Sequence, residues 1–194
     1  MNYKYQTPII FIPIIFIPII FIPIIIFIVY KFTNTFIKPK YKFGDIIGTF
    51  DGVNAYSNQN DKLKSKQSNY YNNIYTGVKW QCVEFVRRYL ILKYGITFTN
   101  VEHAFQIPQA QFTTLNGFPV KMINELNVGS IVVWPKNYEN NSPHGHVAIV
   151  INISSSGINV AEQNYVDSNF SRFIRFNELQ NIIIISVPAI KFGH

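Results

Sequence analysis

Cys82 is the only cysteine in 194 residues, and the chain has four histidines, two of them in His144-Gly145-His146. One cysteine forms no intramolecular disulfide, and a lone thiol makes a poor zinc site. That leaves two uses for Cys82: a packed thiol in an apolar helix, or a nucleophile. A nucleophile needs a base, and His146 opens the apolar run His146-Val147-Ala148-Ile149-Val150-Ile151. Glu162 lies in a second run, Ile158-Asn159-Val160-Ala161-Glu162-Gln163-Asn164. A carboxylate beside an imidazole orients the ring and favours its charged form, as thiol hydrolases require.

Local structure has to bring these groups together. Apolar residues at Val83, Val86, Leu90 and at Phe85, Tyr89, Leu92 have helical spacing, and Gly95 is a stop signal. No good side-chain cap precedes the run, so entry near Gln81 puts Cys82 in the first turn. There the orphan N–H groups and the positive end of the helix dipole favour a thiolate. Ser154-Ser155-Ser156-Gly157 reads as a turn between the two later strands. The midpoint between His146 and Glu162 falls at position 154, so in an antiparallel hairpin they lie opposite or within a position or two. A thiol at a helix start, with histidine and acid on adjoining strands, is papain-like in outline, and the expected fold class is α+β. His144 competes for the base role, but it precedes Gly145 in a loop, whereas His146 begins the strand.

The motifs Trp80-Gln81-Cys82-Val83-Glu84-Phe85 with Arg87-Arg88, Gly145-His146-Val147-Ala148-Ile149 and Ala161-Glu162-Gln163-Asn164 resemble the amidase domain of glutathionylspermidine synthetase/amidase. That domain is of the CHAP class of cysteine amidohydrolases and peptidases. Phe43-Gly44-Asp45-Ile46-Ile47-Gly48 and Gly52-Val53-Asn54-Ala55-Tyr56-Ser57 look like its entry strands, so the resemblance runs from about Phe43 to Val187. It implies a CHAP/NlpC-P60-type domain, with the cysteine helix packed on an antiparallel sheet. It also implies Cys82 as nucleophile, His146 as general base, Glu162 as the residue orienting the imidazole, and Gln81, Arg87 and Asn164 as substrate-site residues. Arg87, 140° round the helix from the thiol, is expected at the cleft rim, where it would meet a carboxylate such as glutathione's; a solvated helix face is the plain alternative for it and Arg88. The expected reaction is hydrolysis of an amide, either glutathionylspermidine or, in the other role of the class, peptidoglycan. The ligase half of the bifunctional relatives has no room in 194 residues, so no synthetase activity is expected. A membrane-tethered binding module with an inert thiol is the non-enzymatic alternative.

The rest of the chain sets the context. Aromatic content of 16% and hydrophobic content of 48% suffice for a core. Five of the 17 basic residues precede Phe43, while all ten acidic ones follow it. The basic excess therefore points to a membrane surface, and no nucleic-acid partner is expected. Residues 1–32 hold the repeat Pro-Ile-Ile-Phe-Ile, and Pro8 to Tyr30 is uncharged over 23 residues, the length of a bilayer span. The reading is a single-pass anchor, followed by a basic linker over 33–42 and the catalytic domain over 43–194. The lysines after the span favour a cytosolic domain, although prolines every five residues suit a helix poorly. A cleaved signal peptide is the rival, with Tyr30-Lys31-Phe32-Thr33 too bulky for a cleavage site. Ser57 to Asn73 reads as a polar loop with Lys62, Lys64 and Lys66 solvated, and His103 as structural or exposed. Phe173 to Phe176 and Ile182 to Val187 read as later strands. No CxxC, HExxH or phosphate-loop glycine pattern occurs, so neither metal nor cofactor is expected.

Overall fold

The computed structural model describes residues 41–59, 66–138, 142–165 and 169–188. The helix forms as its spacing dictates: α1 runs Cys82–Tyr94, with Gln81 as N-cap and no side-chain cap hydrogen bond. It stops at Gly95, whose φ of 61° lets its N–H turn back to the carbonyls of Ile91 and Leu90. Phe85, Val86, Tyr89 and Leu90 bury one face, each side chain stabilising the fold by about 1.5–3 kcal/mol.

Two hairpins precede α1, β1 (Ile46–Phe50) with β2 (Val53–Tyr56) and β3 (Ser68–Tyr71) with β4 (Ile74–Val78). The second corrects the reading of Ser57 to Asn73 as one polar loop. Asn72 and Asn73 both have positive φ, the backbone of the tight turn that matches strand twist. Lys62 and Lys64 lie outside the described residues. After α1 come β5 (Ile96–Phe98), a 3-10 helix at Ala104–Gln109 and β6 (Phe112–Thr114), which pairs with β5.

The main sheet has five antiparallel strands: β7 (Ile131–Trp134), β8 (His146–Ile153), β9 (Gly157–Ala161), β10 (Ser171–Arg175) and β11 (Ile183–Ile185). Their spatial order is β10-β9-β8-β7-β11. Phe176 is not the end of a strand as expected; it opens a 3-10 turn, Phe176–Glu178. Alternation divides the sheet's apolar residues. Ile131, Val133, Val147, Ile149, Ala161 and Ile185 share a core with α1. Val132, Trp134, Ala148, Val150, Ile158, Val160 and Ile174 form a second cluster.

This is the expected α+β arrangement, a helix opening on cysteine packed on an antiparallel sheet. The anchor and linker expected over residues 1–40 lie outside the described residues. No helix among the described residues is long and apolar enough to cross a membrane.

Candidate active site

Three elements converge on the site. Half-buried Cys82 is the first residue of α1. His146 is the first residue of β8, and Gly145 before it has φ +64°, with Trp134 O only 2.5 Å from where a Cβ would stand. Any side chain there would push β8 away from β7 just where the imidazole emerges. Glu162 follows β9 directly and is fully buried.

The hairpin meets in an offset register. Ile149 faces Ala161, and a bulge between Val150 and Asn152 shifts the pairing toward the turn. His146 and Glu162 are therefore not directly opposite but still share one end of the sheet. The His146 Nε2 to Glu162 Oε2 distance is 3.0 Å. Cys82 is the other group acting on the His146 imidazole, and with Nε2 engaged by Glu162 the ring nitrogen left for the thiol is Nδ1. Burial works against a charged imidazole here. The hydrogen bond and charge of Cys82, and then those of Glu162, outweigh it, so His146 is pushed up to about 10. The ring packs between Tyr165 and Trp134, with centroids at 5.1 and 5.6 Å.

The amides beside the thiol form a chain with one direction. Asn58 Nδ2 donates to Asn164 Oδ1, and Asn164 Nδ2 donates to Gln81 Oε1. This engages the carbonyl oxygen of the Gln81 side chain. Asn164 adopts φ 58° to make these contacts, a conformation asparagine tolerates better than most residues. Asn164 is thus tied to the side chain of Gln81, the residue immediately before Cys82.

Arg87 does not. It is 2% exposed, and its Nη1 and Nη2 donate to Asn100 Oδ1 and the Thr99 carbonyl at 3.0 and 3.2 Å. Its guanidinium lies over Phe98 and Tyr75, and burial lowers its pKa against the opposing pull of Tyr75 and Glu84. The expectation of a rim arginine is corrected: β5 and the residues after it cover that face of α1 and engage both terminal nitrogens. Arg88 is not on a solvated face either. It is buried, with Nε and Nη2 on Glu84 at 2.7 and 3.2 Å and Nη1 on the Asn54 carbonyl at 2.8 Å.

Several residues that hold the site had not been singled out in the sequence. Fully buried Glu84 accepts from Asn69, Thr76, Arg88 and Gln163. Gln163 in turn donates to the Gln81 carbonyl at 3.0 Å and accepts from the Tyr56 N–H at 2.7 Å. This network ties the strand carrying Glu162 to the helix start carrying Cys82. Gly77 makes room for it, because a Cβ there would stand 2.9 Å from Glu84 Cα and its φ is +142°. The sequence signal was a Glu at i and an Arg at i+4 on the helix that opens on Cys82. Arg172 on β10 also went unnoticed; its Nε donates to Glu162 Oε1 at 2.8 Å.

His144 stays in the loop, 3.1 Å from His103 between Nδ1 atoms. Among the described residues no three of His, Cys, Asp or Glu gather into a group that could hold a metal.

Residues 70–164 match the CHAP domain family. The bifunctional glutathionylspermidine synthetase/amidase of Escherichia coli (strain K12) is 33% identical over 143 residues, covering 65% of this chain and 23% of that protein. Glutathionylspermidine synthase of Crithidia fasciculata is 39% identical over 99 residues, covering 45% of this chain and 14% of that protein. The chain thus spans under a quarter of the length of these relatives. Among solved structures, N-acetylmuramoyl-L-alanine amidase from Staphylococcus aureus superposes with a TM-score of 0.45 at 17% identity, over 73% of this chain and 38% of that one.

Proposed function

We propose that this chain, which carries a CHAP domain over residues 70–164, is a cysteine hydrolase of amide bonds. The observation that carries the reading is the continuous contact from Cys82 through His146 to buried Glu162. His146 takes the Cys82 proton, giving an imidazolium that the Glu162 carboxylate stabilises. The sulfur attacks the amide carbonyl, and the carbonyl oxygen becomes an oxyanion. Its donors are the Cys82 N–H, an orphan of the helix start, and the Gln81 side-chain amide oriented by Asn164. Collapse of the tetrahedral intermediate breaks the C–N bond, and the amine leaves with the proton from His146. Water, deprotonated by His146, then hydrolyses the thioester and releases the acid.

Within that class the substrate we favour is glutathionylspermidine, cleaved to glutathione and spermidine. Its support is the 33% identity to a relative whose name includes that amidase. The test is spermidine release by the full chain beside Cys82→Ala. Release by the wild type alone is expected, and equal release by both would overturn the assignment. No release from this amide, with release from purified peptidoglycan instead, would move the substrate while keeping the reaction. The uncharged stretch Pro8 to Tyr30 would hold the enzyme at a membrane.

A further inference from the structure

We infer that Arg172 is a positioning residue for the reaction, a fourth member of the Cys82–His146–Glu162 chain; the inference rests on the cysteine-hydrolase reading above. Glu162 is wholly buried, and a buried carboxylate needs partners on both oxygens. His146 serves Oε2 at 3.0 Å, which leaves Oε1 to be satisfied. Arg172 does this through Nε at 2.8 Å, from β10, where it pairs with Val160 two residues before Glu162. Without it the carboxylate would turn to share both oxygens with the imidazole. That change alters the direction in which His146 Nδ1 faces the sulfur.

A second contact locks the guanidinium itself. It lies 4.2 Å from the Tyr165 ring centroid and 4.9 Å from that of Trp134. These are the same two rings that flank His146 at 5.1 and 5.6 Å. Imidazole and guanidinium thus share one carboxylate and one pair of aromatic rings, so moving Arg172 disturbs the packing round His146. A lysine would supply the charge but neither the planar stack nor the directed Nε–H. The Arg172 side chain is 23% exposed, so the space it fills is reachable from solvent.

The experiment is chemical rescue. Outer hydrogen-bond partners of metal-bound histidines typically contribute about 10–100-fold; by analogy, Arg172→Ala is expected to lower kcat by about that factor with KM within about twofold of wild type. Millimolar methylguanidinium, but not methylammonium, should restore several-fold of the lost rate. If Arg172→Ala does not fold, Arg172→Lys is read instead, with kcat reduced and KM unchanged. A folded variant with wild-type kcat, or a loss that methylguanidinium leaves untouched, would overturn the inference. Where no amide tried is turned over, the same comparison is made on the rate of Cys82 alkylation by iodoacetamide. An alkylation rate in the wild type that His146→Ala leaves unchanged would sink the hydrolase reading and this inference together. A His146-dependent rate indifferent to Arg172 would sink this inference alone.

Discussion

At the residue scale, the state of the His146 imidazole is set by its neighbours. His146 is pushed up to about 10 although burial alone would lower it, because Cys82 and then Glu162 favour the charged ring. A raised histidine stabilises the fold fully below its unfolded value of roughly 6.5, and the contribution disappears as pH climbs through the folded value. Chemical denaturation followed from pH 6 to pH 10 should therefore show stability falling with pH, and Cys82→Ser, which weakens the largest raising contact, should flatten that slope. An equal slope in both proteins would mean that the thiol does not hold the proton on His146. The grouping of Cys82, His146 and Glu162 was legible in the sequence, because the thiol opens a helical period and the histidine and acid lie on two runs joined by one turn; Gln81 and Asn164 came only from the motifs of the resemblance. Arg87 was misread because a helical wheel gives an angle round the axis without saying what covers it. Phe98, Thr99 and Asn100 cover it here, and those contacts come from the chain doubling back after Gly95. Arg172 gave no local signal at all, since only the pairing of β10 with β9 brings it to Glu162.

At the scale of elements, the start of α1 is held in place by buried polar contacts more than by capping. Gln81 supplies no side-chain cap, but its carbonyl accepts from both the Phe85 N–H and Gln163 Nε2. Glu84 gathers four partners from β3, β4, α1 and the segment after β9. Breaking a buried, hydrogen-bonded ion pair by removing one partner costs about 3–5 kcal/mol. Glu84→Ala is expected to destabilise by that amount in urea unfolding, and a change under about 1 kcal/mol would show that the network is not structural. Gly77→Ala should also destabilise, since the new methyl meets Glu84 backbone and the φ of +142° is strained for any side chain. Its expected signature is lower stability together with lower turnover, because the displaced first turn carries Cys82. The helix and the β8–β9 hairpin were readable from periodicity and the Ser-Ser-Ser-Gly turn. The β3–β4 hairpin was not, because its four-residue first strand is mostly exposed and polar and its turn is Asn-Asn, without the glycine that usually announces one.

At the scale of the whole molecule, the domain that carries Cys82 and the hydrophobic repeat are tested independently. The antiparallel sheet with a cysteine helix against it was legible because α1 carries a helical period and β7, β8 and β9 are short apolar runs bounded by turn residues. The partition of the sheet into two apolar faces was not, because β7 reads as an unbroken run, Ile131-Val132-Val133-Trp134, buried throughout. For the repeat, the 23 uncharged residues from Pro8 to Tyr30 match a bilayer span in length. The full chain is expected to float with phosphatidylcholine vesicles and to resist carbonate extraction, while a chain starting at Thr33 stays in the soluble fraction. Equal partitioning of the two would refute the anchor and leave the hydrolase untouched.

The most direct test of the Cys82–His146 pair is the second-order rate of Cys82 alkylation by iodoacetamide at pH 6, in wild type and His146→Ala. General-base partners contribute about 10²–10⁴-fold in reactions of this kind, and a wild-type rate at least about a hundredfold faster is expected. Equal rates would contradict the account, leaving Cys82 an ordinary thiol at the start of a helix.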